Sequence, residues 1–347
     1  MPNPVVRECS VRLLSYAALL AACGLACAPM PGHAATPAPP PADPPEFLTT
    51  TTGCQIENPL ANKTILDTLS RSVTVTWSGT CTGGYASGLG IAQAQMKGQQ
   101  AWRYEGAMQN GRANGQGVFH GPGGVTASGL YHDGLIDGSI VLTTASGTRY
   151  EGDWKGNRPE GHGVETLADG TRYDGDWHDG KKDGRGSIIW HSGNSYTGEW
   201  QNGEISGRGV MKYAGAGHPT YEGQFQHGQR AGHGTMSYDD GRRLEGEWRN
   251  DRPNGQGIWV NRLGDRYEGE FADGKMSGNG TMTLHNGPRY EGQWADGAPN
   301  GKGTLTHPRL APYTGEWTHG CFKDSDGYTA FATDLSSCAK TEVPPAL

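Results

Sequence analysis

Acidic residues recur in pairs along most of this chain, and paired carboxylates can serve acid–base catalysis or glycoside cleavage. One phase of the pattern holds Glu105, Glu151, Asp174, Glu222, Glu245, Glu268 and Glu291. A second phase, two residues further on, holds Asp153, Asp176, Glu199, Glu247, Glu270 and Glu316. An active site needs one such pair, whereas these recur almost throughout the chain. The recurring pairs indicate the regular composition of an exposed face, and we expect no catalytic residue.

Arginines share the face of these acids. They precede the first acidic phase by two residues, at Arg103, Arg149, Arg172, Arg243, Arg266 and Arg289. Alternating charges of this kind predict a solvent-facing surface that neutralises itself. The net charge of −7 and the pI near 5.9 argue against nucleic-acid binding, which needs a basic surface.

The spacing of the other reactive residues along the sequence matches no known catalytic or ligand-binding motif. The 12 histidines lie mostly in predicted turns and have no metal-ligand spacing. Neither a phosphate-binding loop nor a nucleophile motif occurs. We therefore predict a protein that is not an enzyme and that has neither a cofactor nor a metal site.

The charged positions belong to a repeat, Tyr-x-Gly-x-Trp-x-x-Gly-x-x-x-Gly-x-Gly. Its copies start at Tyr104, Ala127, Tyr150, Tyr173, Tyr196, Tyr221, Leu244, Tyr267, Tyr290 and Tyr313. Successive starts are 23 residues apart, except for a step of 25 between Tyr196 and Tyr221. Such a period predicts a repeat array rather than a single globular core. The glycines, 57 in all, fall at fixed phases of this array.

Each repeat reads as one β-hairpin. In the copy that starts at Tyr173, alternation places Tyr173, Gly175 and Trp177 on one face and the acids on the other. Asp179-Gly180 is a strong signal for a tight turn, and a return strand follows. Where the glycine is lost, Asn157 and Asp251 tolerate the positive φ that the turn needs.

The rings of successive hairpins should form one ladder that packs over bare glycine backbone. We expect this ladder to be structural. Its members are Tyr104, Tyr150, Trp154, Tyr173, Trp177, Tyr196, Trp200, Tyr221, Phe225, Trp248, Tyr267, Phe271, Tyr290, Trp294, Tyr313 and Trp317. A further apolar column on the return strands is predicted at Leu167, Trp190, Tyr213, Tyr238 and Leu284.

The phased Tyr-x-Gly-x-Trp copies resemble MORN repeats, the membrane occupation and recognition nexus motif. The resemblance runs from an atypical first copy, which starts at Trp77 and has Cys81 at the Trp phase, to Gly320. It implies an all-β fold, an elongated single-layer antiparallel sheet of about eleven tandem hairpins. Some MORN proteins are linked to anionic lipids and membrane junctions.

The two ends of such an array need caps. Four cysteines lie just there, two on each flank: Cys54, Cys81, Cys321 and Cys338. We expect Cys54–Cys81 to tie the preceding segment over the first hairpin and Cys321–Cys338 to close the last. Four buried free thiols are the alternative. Disulfides predict an oxidising compartment.

The N-terminus reads as an export signal over residues 1–34. Leu20-Ala-Ala-Cys23 resembles a lipobox, which would lipidate Cys23, whereas Gly32-His-Ala34 suits ordinary signal peptidase. Both readings predict export from the cytoplasm, to the periplasm or outer membrane of a bacterium or to the medium. The predicted segments are a signal (1–34), a Pro-rich linker (35–50), an N-terminal cap (51–76), the array (77–320) and a C-terminal cap and tail (321–347).

Three functions fit this organisation. The first is a cell-envelope scaffold that binds a protein partner or self-associates through the repeat sheet. The second is binding to anionic phospholipid, which the family resemblance implies and the acidic composition disfavours. The third is binding to a glycan or peptidoglycan, which requires an open tryptophan face among Trp154, Trp177, Trp200, Trp248 and Trp294.

Overall fold

A computed structural model of the chain describes residues 47–59, 73–324, 327–331 and 338. The predicted signal segment with Cys23, and the Pro-rich linker up to residue 46, lie outside these residues. The chain forms two compact units, residues 1–184 and residues 185–347. Among the described residues, no helix is both long and apolar enough to span a membrane.

The first unit is built of β-strands in chain order. They are β1 (Phe47–Thr49), β2 (Gln55–Glu57), β3 (Val73–Trp77), β4 (Thr80–Thr82), β5 (Tyr85–Met96), β6 (Gln99–Gln109), β7 (Arg112–His120), β8 (Thr126–His132), β9 (Leu135–Thr143), β10 (Arg149–Lys155), β11 (Arg158–Thr166) and β12 (Arg172–His178). A short 3-10 turn, Pro122–Gly124, precedes β8. Strand β13 (Lys181–Ile189) runs across the boundary of the two units.

The second unit continues the pattern. Its strands are β14 (Ser195–Gln201), β15 (Glu204–Lys212), β16 (Thr220–Gln226), β17 (Gln229–Ser237), β18 (Arg243–Arg249), β19 (Arg252–Val260), β20 (Arg266–Ala272), β21 (Lys275–Thr283), β22 (Arg289–Ala295), β23 (Ala298–His307), β24 (Leu310–Trp317), β25 (Cys321–Asp324) and β26 (Gly327–Ala330). Strands β14 to β24 pair antiparallel in sequence order, and β25 and β26 form a separate hairpin. The predicted all-β array of tandem antiparallel hairpins is confirmed.

Each hairpin of the repeat array closes with a two-residue turn in which both residues have positive φ. At Asn110-Gly111 the φ values are 51° and 76°. The two copies that lack glycine at the second turn position keep the same geometry: Gly156-Asn157, for example, has φ values of 54° and 65°. Positive φ at both positions is the twist-matched hairpin turn, so the predicted tolerance of Asn157 is confirmed.

The core lies on the ring face of each sheet. Every residue of the predicted ladder except Tyr313, which is half-buried, is at least nine-tenths buried. The predicted return-strand column was wrong in position: Leu167, Trp190, Tyr213, Tyr238 and Leu284 sit beside the inter-repeat turns and are only half-buried.

A buried column on the return strands lies two residues earlier, and most repeats contribute to it. It includes Phe119, Leu142, Ile188, Met236, Met282 and Leu305. Register explains the difference. Met282 is opposite both Tyr267 and Tyr290, so that a residue at this phase is enclosed by rings on two sides. A residue two positions on has a turn beside it instead.

The first described strand lies within the stretch predicted as linker. Phe47, Leu48 and Thr49 pair with Glu57, Ile56 and Gln55. The last prolines of that stretch are Pro44 and Pro45, and beyond them the backbone regains the N–H groups that a strand needs. The N-terminal cap is therefore a hairpin of β1 and β2.

Candidate interaction surfaces

The tyrosine of each repeat lies over glycine of the return strand. A Cβ on Gly163 would collide with the Tyr150 ring and hydroxyl, and the same holds for Gly209 beneath Tyr196. The Tyr150 hydroxyl donates to the carbonyl of Asp153 at 3.3 Å. Burial of these hydroxyls disfavours the phenolate, and it raises the pKa of Tyr221 and of Tyr290 to about 12.

Tryptophans join one hairpin to the previous one. The Trp177 ring makes edge-to-face contacts with Tyr173 at 5.4 Å and with Tyr150 of the preceding repeat at 5.3 Å. Its indole Nε1 donates to the Gly163 carbonyl at 3.2 Å. Edge-to-face pairs at such distances add stability beyond their buried area. The rings of the ladder are therefore covered by contacts with one another.

This packing removes the basis of the sugar-binding hypothesis. Trp154, Trp177, Trp200, Trp248 and Trp294 are 6, 5, 4, 6 and 3 % exposed. A sugar ring stacks on a free aromatic face, and none of these five offers one.

The repeat that starts at Ala127 is packed differently. Ala127 stands at the tyrosine phase, and Ile140 stands at the phase where the next repeat has Gly163. Both are fully buried, at 0 and 2 % exposed. The isoleucine fills the space that a tyrosine ring fills elsewhere. The departure at Ala127 is visible in the sequence, whereas its compensation at Ile140 was not predicted.

One ion pair lies on the ring face of the first unit. Glu165 occupies the phase that is apolar in most copies, and Lys182 Nζ is 3.2 Å from its Oε2. The ammonium also lies 5.0 Å from the centre of the Tyr173 ring. Sequence reasoning missed this pair, although a charge at two phases that are apolar in most copies was the available signal.

The opposite, outer face carries the charges. In six copies an arginine binds the acid two residues later at 2.5 to 2.7 Å: Arg103–Glu105, Arg149–Glu151, Arg172–Asp174, Arg243–Glu245, Arg266–Glu268 and Arg289–Glu291. These exposed pairs are worth little individually. They confirm the self-neutralising surface and leave these arginines occupied with carboxylates rather than aligned as a basic strip for anionic lipid.

A third surface, here called the turn edge, consists of the two-residue hairpin turns and the first residues of the strands that follow them. Along it, a basic residue after one turn pairs with an acid in the next turn. Such pairs are Arg112–Asp133 and Arg158–Asp179 in the first unit, and Lys275–Asp296 in the second. Glu204 follows one turn, and its Oε2 is 3.0 Å from Nδ1 of His227 in the next turn. The turn edge therefore differs from copy to copy more than the ladder does.

The predicted disulfides are present at the two flanks. Cys54 and Cys81 are bonded with their Cα atoms 5.7 Å apart, and Cys321 and Cys338 with theirs 5.5 Å apart. The first holds the β1–β2 hairpin against the first repeat. Near the second, Phe331 is buried and stacks on Tyr290 at 5.7 Å. The disulfides indicate an oxidising, exported environment.

The comparisons with known proteins agree with the repeat pattern. A family model described as MORN repeat matches eight times, at residues 104–126, 150–172, 173–195, 196–215, 221–242, 245–261, 267–289 and 290–309. It does not match the copy that starts at Ala127. No curated protein matches the chain.

Similar solved structures have low identity. The TCP10 domain of Danio rerio CPAP is 12% identical, with 58% of this chain and 99% of that chain covered and a TM-score of 0.30. The SAS-4 (dCPAP) TCP domain of Drosophila melanogaster, solved with a proline-rich motif of Ana2, is 11% identical, with 53% and 86% covered and a TM-score of 0.23. A streptogramin B lyase is 8% identical, with 75% and 94% covered and a TM-score of 0.14. Likeness at these TM-scores supports no inference about function.

Proposed function

Because this chain belongs to the MORN-repeat family, we propose that it is a non-enzymatic scaffold of the cell envelope that binds a protein partner or a second copy of itself. One observation carries the proposal. The rings, which are the groups best suited to bind a small ligand, are enclosed by their own repeats. The surfaces left for recognition are the outer face and the turn edge, which extend over many copies.

Three features support the envelope as the location. Two disulfides stabilise the flanks of the array, which suits an oxidising compartment. The N-terminal sequence has the composition of an export signal, and the Pro-rich stretch after it suits a spacer. The mass of the mature N-terminus separates a lipoprotein that starts at Cys23 from a chain cleaved after Ala34.

A crosslinking pull-down from the envelope, with the full chain as bait, tests the scaffold. We expect a stoichiometric protein partner or a homo-oligomer that is lost when one internal repeat, residues 221–243, is removed. A matched control is a chain with Lys323→Ala, outside the array. The proposal fails if the full chain captures no protein, stays monomeric, and loses nothing on removal of the repeat.

Anionic vesicles provide a second arm of the same test. The six arginines of the outer face are each bound to a carboxylate, so we expect little flotation with vesicles that contain anionic phospholipid. Strong flotation that high salt abolishes would instead favour lipid binding over a protein scaffold.

A further inference from the structure

The N-terminal cap shows how an extended segment binds to the turn edge. The backbone N–H of Gln55 donates to the carbonyl of Gly84 at 2.8 Å, and that of Glu57 donates to the carbonyl of Gly111 at 2.7 Å. Both acceptors are the second residue of a hairpin turn. Strand β2 therefore lies across two successive turns, and alternate N–H groups of its backbone bind their carbonyls.

The side chain of Glu57 adds specificity to this backbone contact. Its Oε2 is 3.5 Å from Arg112 Nε, the first residue after the turn, and Arg112 also binds Asp133 of the next turn at 2.7 Å. The carboxylate rests on Gly134, where a Cβ would collide with it. Arg112 is only 27 % exposed as a result of these contacts and of Phe47, whose ring centre is 5.9 Å from the guanidinium.

The C-terminal flank uses the same acceptor. In the second unit, the backbone N–H of Phe331 donates to the carbonyl of Gly320 at 2.8 Å. Gly320 is again the second residue of a hairpin turn, with φ of 82°. In both units, then, a segment from outside the repeats is bound through the carbonyl of a turn glycine.

One turn of the second unit repeats the arrangement of Gly111, Arg112 and Asp133 without a segment bound to it. Gly274 corresponds to Gly111, since their N–H groups donate to Pro253 and Ala86 at 2.9 Å each. Lys275 binds Asp296 of the next turn at 2.7 Å, as Arg112 binds Asp133. Among the described residues no hydrogen bond reaches the Gly274 carbonyl.

Two measures show that this turn is uncovered. Lys275 is 60 % exposed, against 27 % for Arg112. A Cβ on Gly297 would meet nothing within 4 Å, whereas Gly134, its counterpart, is covered by Glu57. The acceptor, the cation and the glycine floor are all present and accessible.

We propose that the turn edge at Gly274–Lys275 and Asp296–Gly297 binds an extended acidic segment of a protein partner. A backbone N–H of that segment donates to the Gly274 carbonyl, and the carboxylate of the same residue binds Lys275. The inference rests on the scaffold function proposed above and assigns it a surface and a partner chemistry.

A short peptide with the sequence of the cap provides the probe. The acetylated, amidated peptide of residues 54–59, with serine in place of Cys54, is titrated into the full disulfide-bonded chain and followed by amide NMR shifts. We expect the largest shifts at Gly274, Lys275 and Gly297. The same peptide with an N-methyl group on the glutamate nitrogen, or with glutamine in place of glutamate, should bind at least about threefold more weakly, the loss of one hydrogen bond or ion pair.

A pair of matched variants locates the site. Lys275→Glu should abolish the shifts, whereas Lys302→Glu, the same change on the outer face of the same unit, should leave them intact. Equal binding of the N-methylated peptide, equal binding by the Lys275→Glu chain, or no shifts at millimolar peptide would each overturn the inference. If the pull-down still captures a partner in those cases, the scaffold function stands and only this surface is wrong.

Discussion

The repeats of residues 127–149 and 150–172 are neighbours in the same unit and fill the same space in different ways. The second has Tyr150 over Gly163, whereas the first has Ala127 beside Ile140. In both copies the return strand ends up buried against its partner. The comparison teaches that both repeats fill the same space with a pair of residues, one at the tyrosine phase and one on the return strand, and that either member of the pair can supply the large side chain.

The exchange has a cost at the next tryptophan. Trp177 donates its indole N–H to Gly163, but at the corresponding position Trp154 faces Ile140, and its buried Nε1 has no hydrogen-bond partner in the described structure. A β-branched side chain at this phase keeps the indole from the carbonyl beneath it. The Ala127 copy therefore differs from its neighbour in two ways: in the size of the side chains that pack together, and in the hydrogen bonding of the tryptophan that follows.

The largest expected effect is from placing the isoleucine of one repeat into the other. Gly163→Ile drives a side chain into the Tyr150 ring, because even a Cβ collides there. We expect a loss of about 3 kcal/mol or more in the free energy of unfolding, measured by urea titration of the tryptophan fluorescence with disulfides intact. Val164→Ile, the neighbouring residue on the outer face, is the control and should change stability by less than about 1 kcal/mol.

Alkaline unfolding should follow from the buried tyrosines that the Ala127 copy lacks at this phase. Burial raises the pKa of Tyr221 and Tyr290 from 10.0 to about 12. The stabilisation is complete below the ordinary value of 10.0 and is lost as the pH rises towards 12. Absorbance at 295 nm and circular dichroism should therefore change together in that window. Titration of all tyrosines near pH 10 with the fold intact would contradict the burial.

The hydrogen bonding of the indole groups should produce a smaller difference in unfolding free energy between the two repeats. Trp177→Phe removes a bond to Gly163, whereas Trp154→Phe removes a buried donor that has no partner. Both lose similar volume, so we expect Trp177→Phe to cost about 1–2 kcal/mol more in unfolding free energy. Equal losses in the two variants would show that Trp154 finds a partner in solution, such as an ordered water.

The smallest expected effect concerns an exposed histidine. The hydrogen bond that the His178 ring donates to the Glu160 carboxylate raises the pKa of His178. The bond that Glu160 accepts from the Asp179 N–H, together with the His178 bond, lowers the pKa of Glu160. The ion pair is therefore complete below the ordinary histidine pKa and is lost as the pH rises through the raised one. Histidine NMR titration should show His178 above its usual value, and Glu160→Gln should return it. An unchanged His178 pKa in that variant would exclude the pair.

The fold was predictable because the same sequence pattern recurs in many copies along the chain. A period of 23 residues fixes hairpins, turns and facing rings, and an error in one copy is corrected by the others. The cysteine pair on each flank was equally predictable from the sequence. The return-strand column was misplaced by two residues, since half-buried positions beside a turn have the same alternation as buried ones.

Contacts that occur once were beyond sequence reasoning. Glu57 meets Arg112 and Gly134 only because the cap crosses the turn edge, and no repeated signal announces that crossing. The pairing of Ile140 with Ala127 was also unique, although its phase was known. Such single contacts are where copies of the array differ, and therefore where recognition can be specific.

The central claim is that the tyrosine phase is a packing code satisfied by a pair of residues. A double-mutant cycle with Tyr150→Ala, Gly163→Ile and both together, followed by urea unfolding, tests it most directly. The account predicts that the double variant is more stable than Gly163→Ile alone, with a coupling of about 2–3 kcal/mol. Additive losses, with the double variant the least stable of the three, would contradict it.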